Sequence, residues 1–177
     1  MVFVGMLVSI LGLPEGASGQ GPRHFREGHE AYQRRDFDQA IQHYTLAIES
    51  RDLPHPDLFF AYNNRGNAHA ARRDYDRALA DYSEALRLNP KYAGAMRNRG
   101  TVHAQKGDYD RAIQDYSEAA RLDPDDPHAL IGRGLAYCRK HEFDLAVRDF
   151  DAALRICPTC PLASVGRAAA VVRKERR

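Results

Sequence analysis

Residues 64–86 read NRGNAHAARRDYDRALADYSEAL, and residues 98–120 read NRGTVHAQKGDYDRAIQDYSEAA. Laid over each other on Gly66 and Gly100, the two stretches agree in small, aromatic and charged positions at once. The same pattern extends outward in both directions. REGHEAYQRRDFDQAIQHYTLAI (26–48) aligns on Gly28 and GRGLAYCRKHEFDLAVRDFDAAL (132–154) on Gly134, giving spacings of 38, 34 and 34 residues. Twelve residues after each glycine stands an alanine (Ala40, Ala78, Ala112, Ala146), and sixteen after an aromatic ring (Tyr44, Tyr82, Tyr116, Phe150). Nineteen after stands a second alanine (Ala47, Ala85, Ala119, Ala153), and Pro90, Pro124 and Pro158 close the last three units. A repeat of this period predicts stacked helical units that bury their apolar faces only against each other.

The physics of these positions predicts two helices per unit. Glycine and alanine at matched heights let the backbones approach, while the ring fills the space toward the next unit. An acid at 36, 74, 108 or 142 precedes each second helix, and Asp38, Asp76, Asp110 and Asp144 fall in its first turn. That is N-cap and dipole chemistry. The residue before the glycine is Arg65, Arg99 and Arg133 in units two to four, and fifteen after it come Asp81, Asp115 and Asp149. In unit one both change together, to Glu27 and His43, so an Arg–Asp pair between the helices of each later unit is expected. Drift at a solvent-facing end of unit one is the alternative.

This pattern resembles the tetratricopeptide repeat over about residues 21–160. The resemblance implies an all-α fold: a right-handed superhelical solenoid of four helix-turn-helix units, at about 21–54, 59–92, 93–126 and 127–160, with a concave groove. Residues 161–177 read as a capping helix and tail, in which Leu162, Val165, Ala169 and Val172 follow helical spacing. The four extra residues of unit one, within SRDLPHPD (50–57), read as a longer turn.

Composition narrows the function classes. Charged residues make up 28% of the 177, the net charge is +2, and there are three Cys. Binding of nucleic acid through bulk charge and a disulfide-dense scaffold are both disfavoured. Residues 1–19 carry an apolar core from Val2 to Leu13, too short to span a bilayer. Pro14 and small residues follow it, so the segment reads as a secretory signal peptide, although no Lys or Arg precedes the core. A segment packed on the first helix is the alternative. The first reading implies a periplasmic or secreted protein, the second a cytoplasmic one.

No constellation in the chain unites a base, a nucleophile and an oxyanion donor, so neither an enzyme nor a cofactor is expected. His69 and His103 stand at equivalent places, set against Tyr32 and Tyr137 in the other units. They read as an aromatic packing position that tolerates histidine, and no metal site is expected. Cys157-Pro-Thr-Cys160 reads first as a structural disulfide, with a free dithiol or a thiol-active role as alternatives.

What remains is the groove. The resemblance implies that first-helix residues line it: Pro22, Phe25, His29, Gln33 and Arg34 from unit one, and Phe60, Asn63, Asn67, Ala70 and Ala71 from unit two. Unit three gives Gly94, Arg97, Thr101, Ala104 and Gln105, and unit four His128, Ile131, Leu135, Cys138 and Arg139. These positions hold three Arg and no acid, so a mildly basic groove for a protein or a peptide of acidic character is expected. The carboxylate clamp of the family's chaperone-binding members is incomplete: Asn67 and Asn98 match it, while Asn63, His128 and Gly132 replace its cations. Self-assembly and a thiol-active envelope protein are the alternative functions.

Overall fold

The computed structural model describes residues 19–176, so the leader expected over residues 1–19 lies almost wholly outside the described residues. The described chain forms consecutive helices: α1 (Gln20–Gln33), α2 (Phe37–Glu49), α3 (His55–Ala71), α4 (Tyr75–Leu88), α5 (Ala93–Gln105), α6 (Tyr109–Leu122), α7 (Pro127–Arg139), α8 (Phe143–Ile156) and α9 (Pro161–Glu175). They pair as α1 with α2, α3 with α4, α5 with α6 and α7 with α8, and each pair packs on the next. The result is an all-α superhelical solenoid. No strand occurs among the described residues, and none of their helices is long and apolar enough to cross a membrane.

The glycine and the ring define the pairing. A Cβ added at Gly28 would lie 2.8 Å from the Tyr44 ring, and one at Gly66 would lie 2.8 Å from Tyr82. The following unit closes on the other side of the ring: Cβ atoms at Gly132 and Gly166 would lie 2.6 Å from Tyr116 and Phe150. Each ring is thus held between its own unit and the next, which is why the alanines around it are fully buried.

The Arg–Asp pairs form in all three later units. Two guanidinium nitrogens of Arg99 donate to the Asp115 carboxylate at 2.7 and 2.9 Å, and Arg65–Asp81 and Arg133–Asp149 are likewise bidentate. The third nitrogen reaches back to the preceding unit, from Arg65 to Thr45 Oγ1 and from Arg133 to Ser117 Oγ, both at 3.0 Å. One arginine therefore joins three helices. A second, exposed ladder links successive units through Arg72–Asp38, Lys106–Asp76, Lys140–Asp110 and Lys174–Asp144.

Several expectations are corrected. Of the four acids before the second helices, only Asp36 and Asp108 accept the capping hydrogen bond, from the N–H of Gln39 and Arg111. Asp74 instead lies 3.2 Å from Arg77, and Glu142, one methylene longer, lies 3.1 Å from Lys140. The insertion in unit one is more than a longer turn. The Asp52 carboxylate accepts the backbone N–H groups of Gly19, Gln20 and Gly21 at 2.7–3.0 Å, capping α1 from outside its own helix. Leu53 is buried with Ala47 and Ala61.

The last helix turns the other way. Ala163, Gly166 and Ala170 face the core, while Leu162, Val165 and Val172 are 55, 66 and 45% exposed and Ala169 is exposed as well. The Phe150 ring forces this, because only a face of glycine and alanine can come so close to it. Helix α9 in fact repeats α7 at a distance of 34 residues, with Pro161, Ala163, Gly166, Arg167 and Lys174 matching Pro127, Ala129, Gly132, Arg133 and Lys140. It packs as a further first helix. Arg167 pairs with Asp151 of the preceding unit, the position held by Ser117 and Ser83 earlier in the array.

Candidate functional site

The first helices α1, α3, α5 and α7 line a chain of connected hollows. One, of about 260 Å³, lies among Tyr32, Asn67, Ala70, Ala71, Tyr82, Asn98, Thr101, Val102 and Gln105. The next, of about 450 Å³, shares Thr101 and Gln105 and runs on past Ala104, Tyr116, Gly132, Leu135 and Arg139. A third, beside His29, Tyr32, Tyr44 and Asn64, joins the first through Asn67. Alanines keep the floor low because the first-helix backbones must approach the rings beneath them.

Hydrogen bonds fix that floor. The Tyr82 hydroxyl donates to Asn67 Oδ1 at 2.8 Å, and Asn98 Nδ2 donates to the same oxygen at 3.0 Å and to Asn63 Oδ1 at 3.1 Å. One unit on, the Tyr116 hydroxyl donates to Thr101 Oγ1 at 3.0 Å. Burial raises the Tyr82 and Tyr116 phenols above their usual range and pushes Tyr44, beside the third hollow, up to about 12. The Cys138 thiol is likewise raised by burial, which makes it a poor nucleophile.

The residues expected in the groove therefore divide. His29, Asn67, Thr101, Leu135 and Arg139 line the hollows. Asn63 and Ile131 do not. Asn63 is 3% exposed inside the amide network, and Ile131 is 4% exposed in the core with Phe150 and Ala163. Phe25 packs on Tyr44 with ring centroids 5.8 Å apart, and Phe60 joins Phe59 and Tyr92 in an aromatic cluster. His128 is exposed at the start of α7, where its N–H donates to Asp126. Arg97 is paired with Asp126 at 2.5 Å, so this cation is neutralised by an acid that lies outside the first-helix rows.

Unit one keeps the register of the later units, so two expectations for it are corrected. The Gly28–Tyr44 contact sets its register, and it places Ala31, rather than Tyr32, level with His69, His103 and Tyr137. Tyr32 faces the hollows instead, while Arg34 falls at the C-terminal cap of α1, level with Arg72, Lys106 and Lys140 of the outer ladder. Tyr32 stands where the later units carry Ala70, Ala104 and Cys138, so α1 alone puts a ring at that height. Cys157 and Cys160 are disulfide-bonded across the turn between α8 and α9, with Cα atoms 5.5 Å apart and away from the hollows.

A tetratricopeptide repeat family model matches residues 63–127 and 107–161. Among curated proteins, the small glutamine-rich tetratricopeptide repeat-containing protein 2 of Saccharomyces cerevisiae is 35% identical over 66 residues, which is 37% of this chain and 18% of that protein. The heat shock protein STI1 of the same yeast is 31% identical over 68 residues, 38% of this chain and 11% of that protein. The chain thus spans less than a fifth of these relatives. Among solved structures, residues 41 to the end of MamA from Desulfovibrio magneticus superpose with a TM-score of 0.79 at 18% identity, covering 90% of this chain and 88% of that one. A first tetratricopeptide repeat domain of Spaghetti, bound to the HSP90 peptide SRMEEVD, superposes with a TM-score of 0.63 at 19% identity, covering 64% and 90%. At these identities the structural likeness shows the fold alone.

Proposed function

Because the chain belongs to the tetratricopeptide repeat family, we propose that it is a non-catalytic interaction scaffold that takes an extended protein or peptide segment along the groove of its first helices. The observation that carries this reading is the continuity of the hollows past α1, α3, α5 and α7. Their low alanine floor lies beside the amide and hydroxyl groups of Asn67, Gln105 and Thr101. Such a surface suits a peptide backbone, with the exposed Leu135 offering apolar contact. With Arg97 tied to Asp126, the acidic preference rests on Arg139 alone, at the far end of the groove. The relatives that are heat-shock-associated or bound to a peptide support the same class of partner.

Binding of a random acidic peptide pool, followed by fluorescence polarisation, tests the groove. Arg139→Glu should weaken acidic peptides about tenfold, the loss of one charge-assisted hydrogen bond of about 1.5 kcal/mol. Equal affinity for the two forms would remove the groove assignment. A peptide ending in EEVD should not bind, because Asn67 and Asn98 are spent on each other and no cation stands at Asn63, His128 or Gly132.

Self-assembly is the second reading, supported by the exposed α9 face. Leu162, Val165, Ala169 and Val172 are spaced 3, 4 and 3 residues apart, the seam of a helix pair. Antiparallel pairing with a second copy keeps Arg173, Lys174 and Arg176 of the two chains apart. Light scattering should then read a dimer that Val165→Asp dissolves, whereas a monomeric wild type would end this reading. A thiol-active role rests on Cys157 and Cys160 alone, and it requires insulin reduction that Cys160→Ser abolishes. Export rests on the apolar segment Val2–Leu13 and on that disulfide, and recovery of the cleaved chain outside the cytoplasm tests it.

A further inference from the structure

Unit one breaks the rule of the other three at the joint between its helices. Where they carry Arg65–Asp81, Arg99–Asp115 and Arg133–Asp149, it carries Glu27 and His43. A Glu–His hydrogen bond alone would replace the lost ion pair. A third change goes with it: His24 stands four residues before the glycine, where the later units have Tyr62, Met96 and Leu130. All three departures are to residues that bind metal ions, and they meet. Glu27 Oε2 lies 2.9 Å from His24 Nδ1 and 3.2 Å from His43 Nδ1. The three donor atoms lie within 4.8 Å of one another, and this is the one group of its kind among the described residues.

We propose that His24 Nδ1, His43 Nδ1 and Glu27 Oε2 form a binding site for a divalent transition-metal ion of the zinc class, with water completing its coordination. Around such an ion, bonds of about 2.0–2.1 Å in tetrahedral array separate the ligand atoms by about 3.3 Å, close to the two Glu–His spacings already in place. His43 Nδ1 is buried and lies 3.2 Å from Glu27 Oε2 without forming a hydrogen bond. A metal seated between the rings and the carboxylate satisfies it. The other carboxylate oxygen, Glu27 Oε1, is held by Arg23 Nε at 2.8 Å, which leaves Oε2 turned to the site. Two imidazoles to one carboxylate select against magnesium and calcium, which take all-oxygen shells. The three side chains are 23–29% exposed, so solvent reaches the open positions. The ion would join α1 to α2 at the place where the later units use a guanidinium.

The test uses the full chain with Cys157–Cys160 oxidised. Zinc titrated by calorimetry should bind the wild type at one equivalent and raise its Tm. Cobalt should give visible d–d bands without the near-ultraviolet band of a thiolate ligand. The double variant E27R/H43D installs the joint of the other units, and so keeps the fold without the ligands. In His24→Leu, which takes the residue of unit four, the Glu27–His43 pair remains. Both should bind zinc at least about tenfold more weakly, since loss even of an outer-shell partner costs about 10–100-fold. Zinc affinity equal in the wild type and in E27R/H43D, or no binding by the wild type, overturns the site and leaves an ion-pair network.

Discussion

Arg99 shows how much a single side chain can hold in a stacked fold. It is 27% exposed, its partner Asp115 is 11% exposed, and its third nitrogen reaches Ser83 in the preceding unit. Arg99→Ala leaves a buried carboxylate without its cation, a loss of about 3–5 kcal/mol. Lys106→Ala removes an exposed rung of the outer ladder and should cost about 0–1 kcal/mol. Denaturant unfolding of the two variants side by side reads the contrast, and equal small losses would mean that the inner pair is solvated. His69 and His103 give the chain a pH response. Burial is the main cause that lowers both below the usual 6.5, against the opposing pull of Asp81 and Asp115. The folded state keeps them neutral while the unfolded chain still takes up protons, so stability is complete above about 6.5 and falls as the pH drops below it. Thermal melts between pH 7.5 and 5.5 should show that fall, and replacing both with Gln should flatten it. The Arg–Asp pairs were legible because the repeats serve as their own alignment. The trio of His24, Glu27 and His43 left the same signal in unit one, and only its geometry separates a cluster from drift.

At the scale of elements, the turns carry decisions that pattern reading left blank. Asp52 caps α1 from 31–33 residues away, a pairing no local motif encodes. Asp52→Ala should speed hydrogen exchange at the amides of Gln20 and Gly21 while leaving those of α4 unchanged. The Cys157–Cys160 bond closes only four residues, which limits its entropic contribution to about 2 kcal/mol. Reduction should therefore lower the Tm modestly without unfolding α9. Alkylation of the unreduced chain should label Cys138 only, whereas three labels would show an open pair. Helix α9 explains why apolar periodicity misleads at the end of an array. Large apolar residues at helical spacing ordinarily mark the buried face. Here the neighbour is the flat ring of Phe150, and the face that fits it is made of glycine and alanine.

For the whole molecule, the groove follows from stacking rather than from any single motif. Each unit offers one first helix, and only the rotation between units brings Thr101 and Gln105 into the same hollow as Asn67 and into the next with Arg139. A glycine that touches a ring is therefore a control on the whole surface. Gly132→Ala sets a Cβ 2.6 Å from Tyr116, at the wall of the larger hollow. It should cost about 1–3 kcal/mol and weaken peptide binding together with stability, whereas Arg139→Glu should weaken binding alone. Measuring Tm and affinity on both variants separates shape from charge.

The helices, their number per unit, the family and the inner Arg–Asp pairs are legible from the chain alone, because each rests on spacings that recur every 34 to 38 residues and report on local geometry. Only the tertiary structure decided which residues the groove keeps. Asn63 and Ile131 share the periodicity of its lining yet lie beneath it, and Arg97 meets an acid from a different row. Periodicity fixes the face of a helix on which a residue sits. How deep it lies, and which charge stands opposite, depend on the neighbouring unit, whose approach is set by side-chain volumes and by contacts between residues far apart in the chain.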